Sequence, residues 1–155
     1  DLLSFDTDLI GVYGMCVDFS RSWICGGLEP SEEQKKLYRI AHEHIMTNAN
    51  LLKPGVKFTD LTRDGHRLPK AFREQRYGVM FHGVGLCDES PCIRYPEDLE
   101  SYGYEGELKA GMMLCVEAYV GAVGGKDGIK LENQLLITEN GYEDLTNYPF
   151  DESFL

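Results

Sequence analysis

The sequence is poor in positive charge and in long apolar runs, and each shortage excludes a class of protein. Against 26 Asp and Glu there are 15 Lys and Arg, a formal net charge of −11. Nucleic acid and anionic membranes are gripped by clustered basic side chains, so neither is expected as a partner. The acidic surplus reads as a solubilising surface. No apolar stretch approaches the about 20 residues that cross a bilayer. The opening DLLSFDTDLIGVYG has no basic n-region and no small-residue cleavage site, so no signal peptide is visible. The cysteines (Cys16, Cys25, Cys87, Cys92 and Cys115) are odd in number and contain no C-x-x-C pair. That pattern suits buried, reduced thiols in a cytoplasmic protein better than a disulfide framework or a zinc knuckle. Cys87, beside Asp88, reads as a small core residue. Low-complexity segments and internal repeats are also absent.

What remains is one domain of 155 residues, 43% hydrophobic, long enough to bury a real core. LLSFDTDLIGVYGMCVDF reads as a hairpin turning near Gly11–Gly14. Ser31-Glu32-Glu33-Gln34 is a capping box, and Leu37, Ile40, Ala41, Ile45, Ala49 and Leu52 follow at helical spacing until Pro54-Gly55. Thr59 is placed to cap a second helix over 61–74, split or kinked by Pro69. YGVMFHGVG reads as a strand, residues 87–106 as a long irregular loop, and MLCVEAYVG and IKLENQLLITENG as strands joined at Gly124–Gly128. GAVGGKDG lacks the G-K-[ST] ending of a phosphate loop and reads as a turn. The order of elements is α+β with an antiparallel sheet. His42, His44 and His66 fall on helices or their ends and are expected at the surface, and Trp23 in the core or at a subunit contact.

Carboxylates inside strands are unusual, because an unpaired buried charge is costly. Here they recur. Asp6 and Asp8 are two apart and share a face of one strand. Asp18 lies across the glycine turn, Glu117 interrupts LCVEAYV, and Glu132 interrupts IKLENQLLI. His82 stands among Val79, Met80, Phe81 and Val84. Carboxylate oxygens with one imidazole suit divalent Mn, Fe, Co or Zn, and several acids suit two ions side by side. Neither H-E-x-x-H nor an EF-hand loop is present.

Asp8, Asp18, the His82-Gly-x-Gly stretch, Glu117 after AGMMLCV and Glu132 in KLENQLLITENG resemble, in order, type and context, the five ligands of the dimetal pita-bread family of methionine aminopeptidases, prolidases and creatinase. The resemblance covers nearly the whole chain. It implies an antiparallel curved sheet with helices on its outer face, of which residues 1–155 form only the C-terminal, metal-binding catalytic part. An N-terminal domain and the start of the fold are expected to precede it, and the working unit is expected to be a homodimer. By family role, Asp18 and Glu132 would bridge two divalent ions, Asp8 would chelate one, and His82 and Glu117 would hold the other.

Two features depart from the peptidases of that family. Where they carry H-E-x-P, this chain has Asp88-Glu89-Ser90-Pro91. Their histidine serves an oxyanion, which an ionised Asp88 would repel, whereas Asp88 is suited to take a proton. Asp6 adds a fifth carboxylate, so −5 stands against +4 from two divalent ions. That excess would blunt Lewis acidity and suit iron, including a partly oxidised pair, ahead of Mn, Co or Zn. Together with Tyr77 these features resemble the dimethylsulfoniopropionate lyases built on this fold. The resemblance implies β-elimination of that small zwitterion to dimethyl sulfide and acrylate, with Asp88 as base and Tyr77 assisting. Tyr77, Tyr95 and Tyr102 offer aromatic faces for the sulfonium. The alternatives are a prolidase-like hydrolase of the same fold and, last, a non-enzymatic binding module.

Overall fold

The computed structural model describes residues 1–103 and 105–155; residue 104, within the loop expected over 87–106, lies outside the described residues. The N-terminal hairpin is broken into four strands: β1 (Leu2–Asp6), β2 (Leu9–Ile10), β3 (Cys16–Val17) and β4 (Ser20–Ile24). β1 pairs antiparallel with β4 and β2 with β3, so it is one hairpin with a kink in each arm, its second arm running further than the sequence suggested. Thr7 stitches the kinks together. Its hydroxyl donates to the Val17 carbonyl at 3.2 Å and accepts from the Phe19 amide at 3.0 Å. Asp8 follows with φ +29°, a left-handed conformation that aspartate tolerates better than most residues.

Helix α1 (Glu32–Ala49) begins at the expected capping box: the Gln34 amide donates to Ser31 Oγ, and the Ser31 amide donates to Gln34 Oε1. Its buried stripe is Leu37, Tyr38, Ala41, His44, Ile45, Asn48 and Ala49. Each buried Leu or Ile there contributes about 1.5–3 kcal/mol. His44 belongs to that stripe and is fully buried, contrary to the expectation of a surface residue. Helical spacing from Leu37 and Ala41 carries it inward, where it contacts His66 Nδ1, Asn48 and the Tyr95 hydroxyl at 3.0–3.2 Å. Burial pulls its pKa down to about 3, so it stays neutral.

Helix α2 spans Phe58–Asp64 and starts from Lys57 without a side-chain cap, so Thr59 lies inside the helix and caps nothing. The turn at Gly65 ends it, and after Pro69 only a short helical turn, Lys70–Phe72, follows. Residues 87–103 are also more ordered than the irregular loop expected there. They hold an edge strand, β6 (Cys92–Ile93), and the short α3 (Leu99–Tyr102), and β6 pairs with β5 (Phe81–Gly83). Cys87 is exposed rather than core, because it sits at a turn before β6 where no apolar face awaits it.

β7 (Met113–Gly121) and β8 (Gly128–Ile137) form a long antiparallel hairpin, and β9 (Tyr142–Asp144) closes the far edge of the sheet, whose order is β6-β5-β7-β8-β9. One face of β7–β8 rests on α1 through Leu114, Val116, Ala118, Val120, Ile129, Leu131, Leu135 and Ile137. The other face meets the β1–β4 ribbon, which crosses β8. Both faces are therefore covered, and the acids on these strands cannot be solvent-facing. Among the described residues no helix is long and apolar enough to cross a membrane.

Candidate metal centre

Strand alternation sorts the chemistry onto one side. With the apolar residues of β7 and β8 committed to α1, the intervening Cys115, Glu117, Lys130, Glu132 and Gln134 all project to the opposite face. Register then brings them opposite one another: His82 pairs with Cys115, and Glu117 with Glu132. In β5, Phe81 joins the core and His82 turns inward. The ribbon is held to β8 by side chains rather than a continuous ladder. Ser22 Oγ donates to the Lys130 carbonyl and accepts from its amide, Arg21 donates to the Glu132 carbonyl at 2.6 Å, and Gln134 Oε1 accepts from the Asp18 amide at 3.1 Å.

The six residues expected to hold metal do converge. Ligand atoms of Asp18, His82, Cys115 and Glu132 lie within 4.8 Å of one another, as do those of Asp6, Asp8 and Asp18. Asp18 belongs to both groups and so lies between them. His82 Nε2 is 3.0 Å from Glu132 Oε1, 3.4 Å from Glu117 Oε1 and 3.6 Å from Asp18 Oδ2. On its other side His82 Nδ1 faces the Gly83 carbonyl at 3.1 Å and Asp88 Oδ1 at 3.7 Å. Asp88 thus stands across the imidazole from the carboxylates, about a quarter exposed at the rim, with Oδ1 accepting from the Glu89 amide. Tyr77 donates its hydroxyl proton to Glu89 Oε1 at 3.1 Å.

Such a group of buried acids is electrostatically incomplete. Burial, then Glu132, raises the Asp18 pKa to about 8. Burial, then Glu132, holds Glu117 well above the ordinary glutamate value. Burial works against the imidazolium of His82, but Glu132 and Glu117 outweigh it and lift that pKa to about 10. Asp18 Oδ1 and Glu117 Oε1 are buried without a hydrogen-bond donor among the described residues, and Glu117 Oε2 faces the Lys130 ammonium at 3.0 Å. Orphan oxygens of this kind cost about 1–3 kcal/mol each, and a cation is what would relieve them. The donor set, carboxylate-rich with one imidazole, fits divalent first-row metals.

Three residues at this site escaped the sequence reading. Cys115 and Lys130 are each two positions before a singled-out glutamate, so alternation alone puts them on its face. Ser20 Oγ lies 2.7 Å from Asp6 Oδ1 and 2.8 Å from Glu132 Oε2, with one proton to give to either. Lys130 alters the charge argument. Its ammonium bonds Asp6 Oδ2 at 2.6 Å, and that bond with Ser20's outweighs burial to lower the Asp6 pKa. With Lys130 counted, five carboxylates and one lysine would balance two divalent ions if the site held them, and the charge argument for iron would lapse.

The aromatic candidates fare differently. Tyr95 is buried against His44 with Arg76 over its ring at 4.9 Å. Arg94 stands 5.0 Å over Tyr102, and Lys130 Nζ 4.6 Å over Tyr77. Each already carries a cation of the protein. Trp23 is half-buried rather than core, in a groove of about 300 Å³ with Phe5, Phe19, Arg21 and Tyr148.

Comparison with known proteins places this geometry. The family model described as metallopeptidase family M24 matches residues 1–139. The dimethylsulfoniopropionate lyase DddP of Roseovarius nubinhibens is 54% identical over the whole of this chain, and that of Roseobacter denitrificans 48%. The chain spans 35% of the length of each. Among solved structures, the prolidase from Pyrococcus furiosus superposes with a TM-score of 0.77 at 27% identity, over 96% of this chain and 42% of that one. The likeness is to the pita-bread fold, in keeping with the antiparallel sheet backed by α1.

Proposed function

The chain belongs to metallopeptidase family M24, and we propose that within it residues 1–155 supply the metal-binding, catalytic part of a lyase rather than a peptidase. The substrate is dimethylsulfoniopropionate and the products are dimethyl sulfide and acrylate. The observation that carries this reading is Asp88, a carboxylate at the rim 3.7 Å from His82 Nδ1, where the family's peptidases have a histidine. The names and identities of the two lyase relatives support it. The prolidase likeness supports a hydrolase only as far as the fold.

In this reading Asp8, Asp18, His82, Glu117 and Glu132 hold two divalent ions, with Asp6 beside them. A bound pair supplies Lewis-acid polarisation of the substrate carboxylate, which acidifies the adjacent C–H. Asp88 takes that proton; the C–H electrons become the new C=C bond, and the C–S pair leaves with the neutral sulfide. Tyr77, through its bond to Glu89, fixes the segment that carries Asp88. No water has to be activated. Asp88 could not serve as the donor that a tetrahedral oxyanion requires, and this disfavours peptide hydrolysis. Dimerisation belongs to the same proposal and is checked by light scattering.

The test is headspace gas chromatography for dimethyl sulfide, with metal content quantified and an X-Pro dipeptide as control. Sulfide release without dipeptide cleavage is expected, as is its loss in Asp88→Asn with metals retained. Undiminished turnover in Asp88→Asn removes Asp88 as the base, and dipeptide cleavage alone removes the lyase.

A further inference from the structure

Among the described residues, Lys130 is the one lysine or arginine whose charged end meets Asp6, Glu117 and Glu132. Its side chain is 10% exposed, and its ammonium lies 3.0 Å from Glu117 Oε2 and 3.1 Å from Glu132 Oε2, besides the 2.6 Å bond to Asp6. Ser20 Oγ is 3.1 Å away and the Tyr77 ring covers the remaining side. The division of oxygens is informative. In both glutamates Oε2 turns to Lys130 while Oε1 turns to His82 Nε2. Lys130 thus claims one oxygen of each, and leaves the other facing the His82 side of the site. The backbone of β8 tethers it there, so it cannot diffuse away as a bound ion can.

We propose that Lys130 is the built-in counter-charge of this centre, a positioning residue that holds Asp6, Glu117 and Glu132 by one oxygen each and sets the site's charge to balance two divalent cations. The proposal rests on the dimetal reading above. It goes beyond it in assigning Lys130 a role that opposes metal binding while supporting turnover. A fixed positive charge a few ångströms from the ions weakens their binding. Even at an effective dielectric of about 20, one unit charge near a divalent ion is worth several kcal/mol before relaxation. The same charge keeps electron density from the surplus carboxylate off the metals, which preserves their Lewis acidity.

The two effects have opposite signs, and that makes the test decisive. Mn²⁺ affinity is measured by titration calorimetry on the metal-stripped protein, and turnover by sulfide release after reloading. Lys130→Met and Lys130→Gln, the second keeping an N–H donor without the charge, are expected to bind Mn²⁺ about tenfold or more tighter and to turn over at least tenfold more slowly. Lys130→Arg, which keeps the charge, is expected to restore both. A lysine that only props up the carboxylates gives weaker binding together with slower turnover in Met and Gln, and that result overturns the proposal. Circular dichroism identifies an unfolded variant, in which case the Gln and Arg pair decides. If the unsubstituted protein binds no Mn²⁺, the dimetal reading itself falls. If it binds Mn²⁺ and Lys130→Gln binds more weakly, the inference about Lys130 falls alone.

Discussion

Stripping the metal should reverse the pH dependence of stability. Asp18 is 2% exposed, so little solvent screening reduces its interactions. Its pKa is about 8 in the folded chain without metal, against an ordinary aspartate value of 3.8. Between those values the folded state binds a proton that the unfolded state has lost, so stability falls as pH rises. Each unit is worth about 1.4 kcal/mol. From pH 6 to pH 8.5 the Asp18 contribution therefore drops by about 2.6 kcal/mol. His82 runs the same way. Its folded pKa of about 10 exceeds the usual 6.5, so its stabilisation is full below 6.5 and is lost as pH climbs through 10. The two groups share one cluster, so their contributions are not summed. At about 2–4 °C per kcal/mol for a chain of this size, a loss of about 5–10 °C in Tm is expected over that range.

Bound ions invert the sign, because they take the place of these protons and their affinity falls in acid. The gap in Tm between metal-loaded and chelator-stripped protein should widen steadily from pH 6 to pH 8.5. Differential scanning calorimetry in matched buffers reads both. A stripped protein whose Tm is flat or rises over that range would refute the reasoning, since it would mean that the acids are not held protonated by burial.

Two further predictions concern the frame of the site. Arg21, 3% exposed, donates to the carbonyls of Ser20, Glu132, Tyr148 and Pro149 and lies 4.1 Å over Phe150; Arg21→Met should cost about 3 kcal/mol or more in urea unfolding, because buried carbonyls lose their donor. Gly83 has the Ser90 carbonyl and the Pro91 ring where a Cβ would go, so Gly83→Ala should push the Asp88 segment outward and cut sulfide release about tenfold or more with metal content unchanged.

The strand core of the site was legible because alternation is an all-or-none signal. A glutamate inside LCVEAYV or KLENQLL must face away from its apolar neighbours, and register did the rest. The first hairpin was legible in outline, but its kinks were not: they depend on Thr7 bonding across to Val17 and Phe19, a long-range contact with no local signature. His44 shows the converse failure. The residue type argued for the surface, whereas helical spacing from Leu37 and Ala41 argued for the core, and the spacing prevailed once Asn48, His66 and Tyr95 supplied partners. Lys130 was overlooked for the same reason. A lysine in a strand reads as an exposed residue, yet two positions from Glu132 it can only share that residue's buried face.

The buried ammonium of Lys130 bears on how a zwitterion would lie in the site. Under the lyase reading the substrate has a carboxylate at one end and a sulfonium at the other. Lys130 already covers the Tyr77 ring, and its charge repels a second cation at close range. The sulfonium is therefore driven off the inner face, toward Asp88, partly exposed at the rim, and the neighbouring Glu89. The carboxylate would be drawn the other way, to the end of the site lined by Asp8, Asp18, His82, Glu117 and Glu132, where bound cations would supply its counter-charge. One fixed cation would thus give the substrate a direction, with the carbon that loses its proton turned toward Asp88. A substrate analogue lacking the positive charge should keep its affinity for the inner end while losing the preference in orientation. A neutral thioether acid is such an analogue, and a crystal structure of its complex with the metal-loaded protein would reveal it in more than one pose.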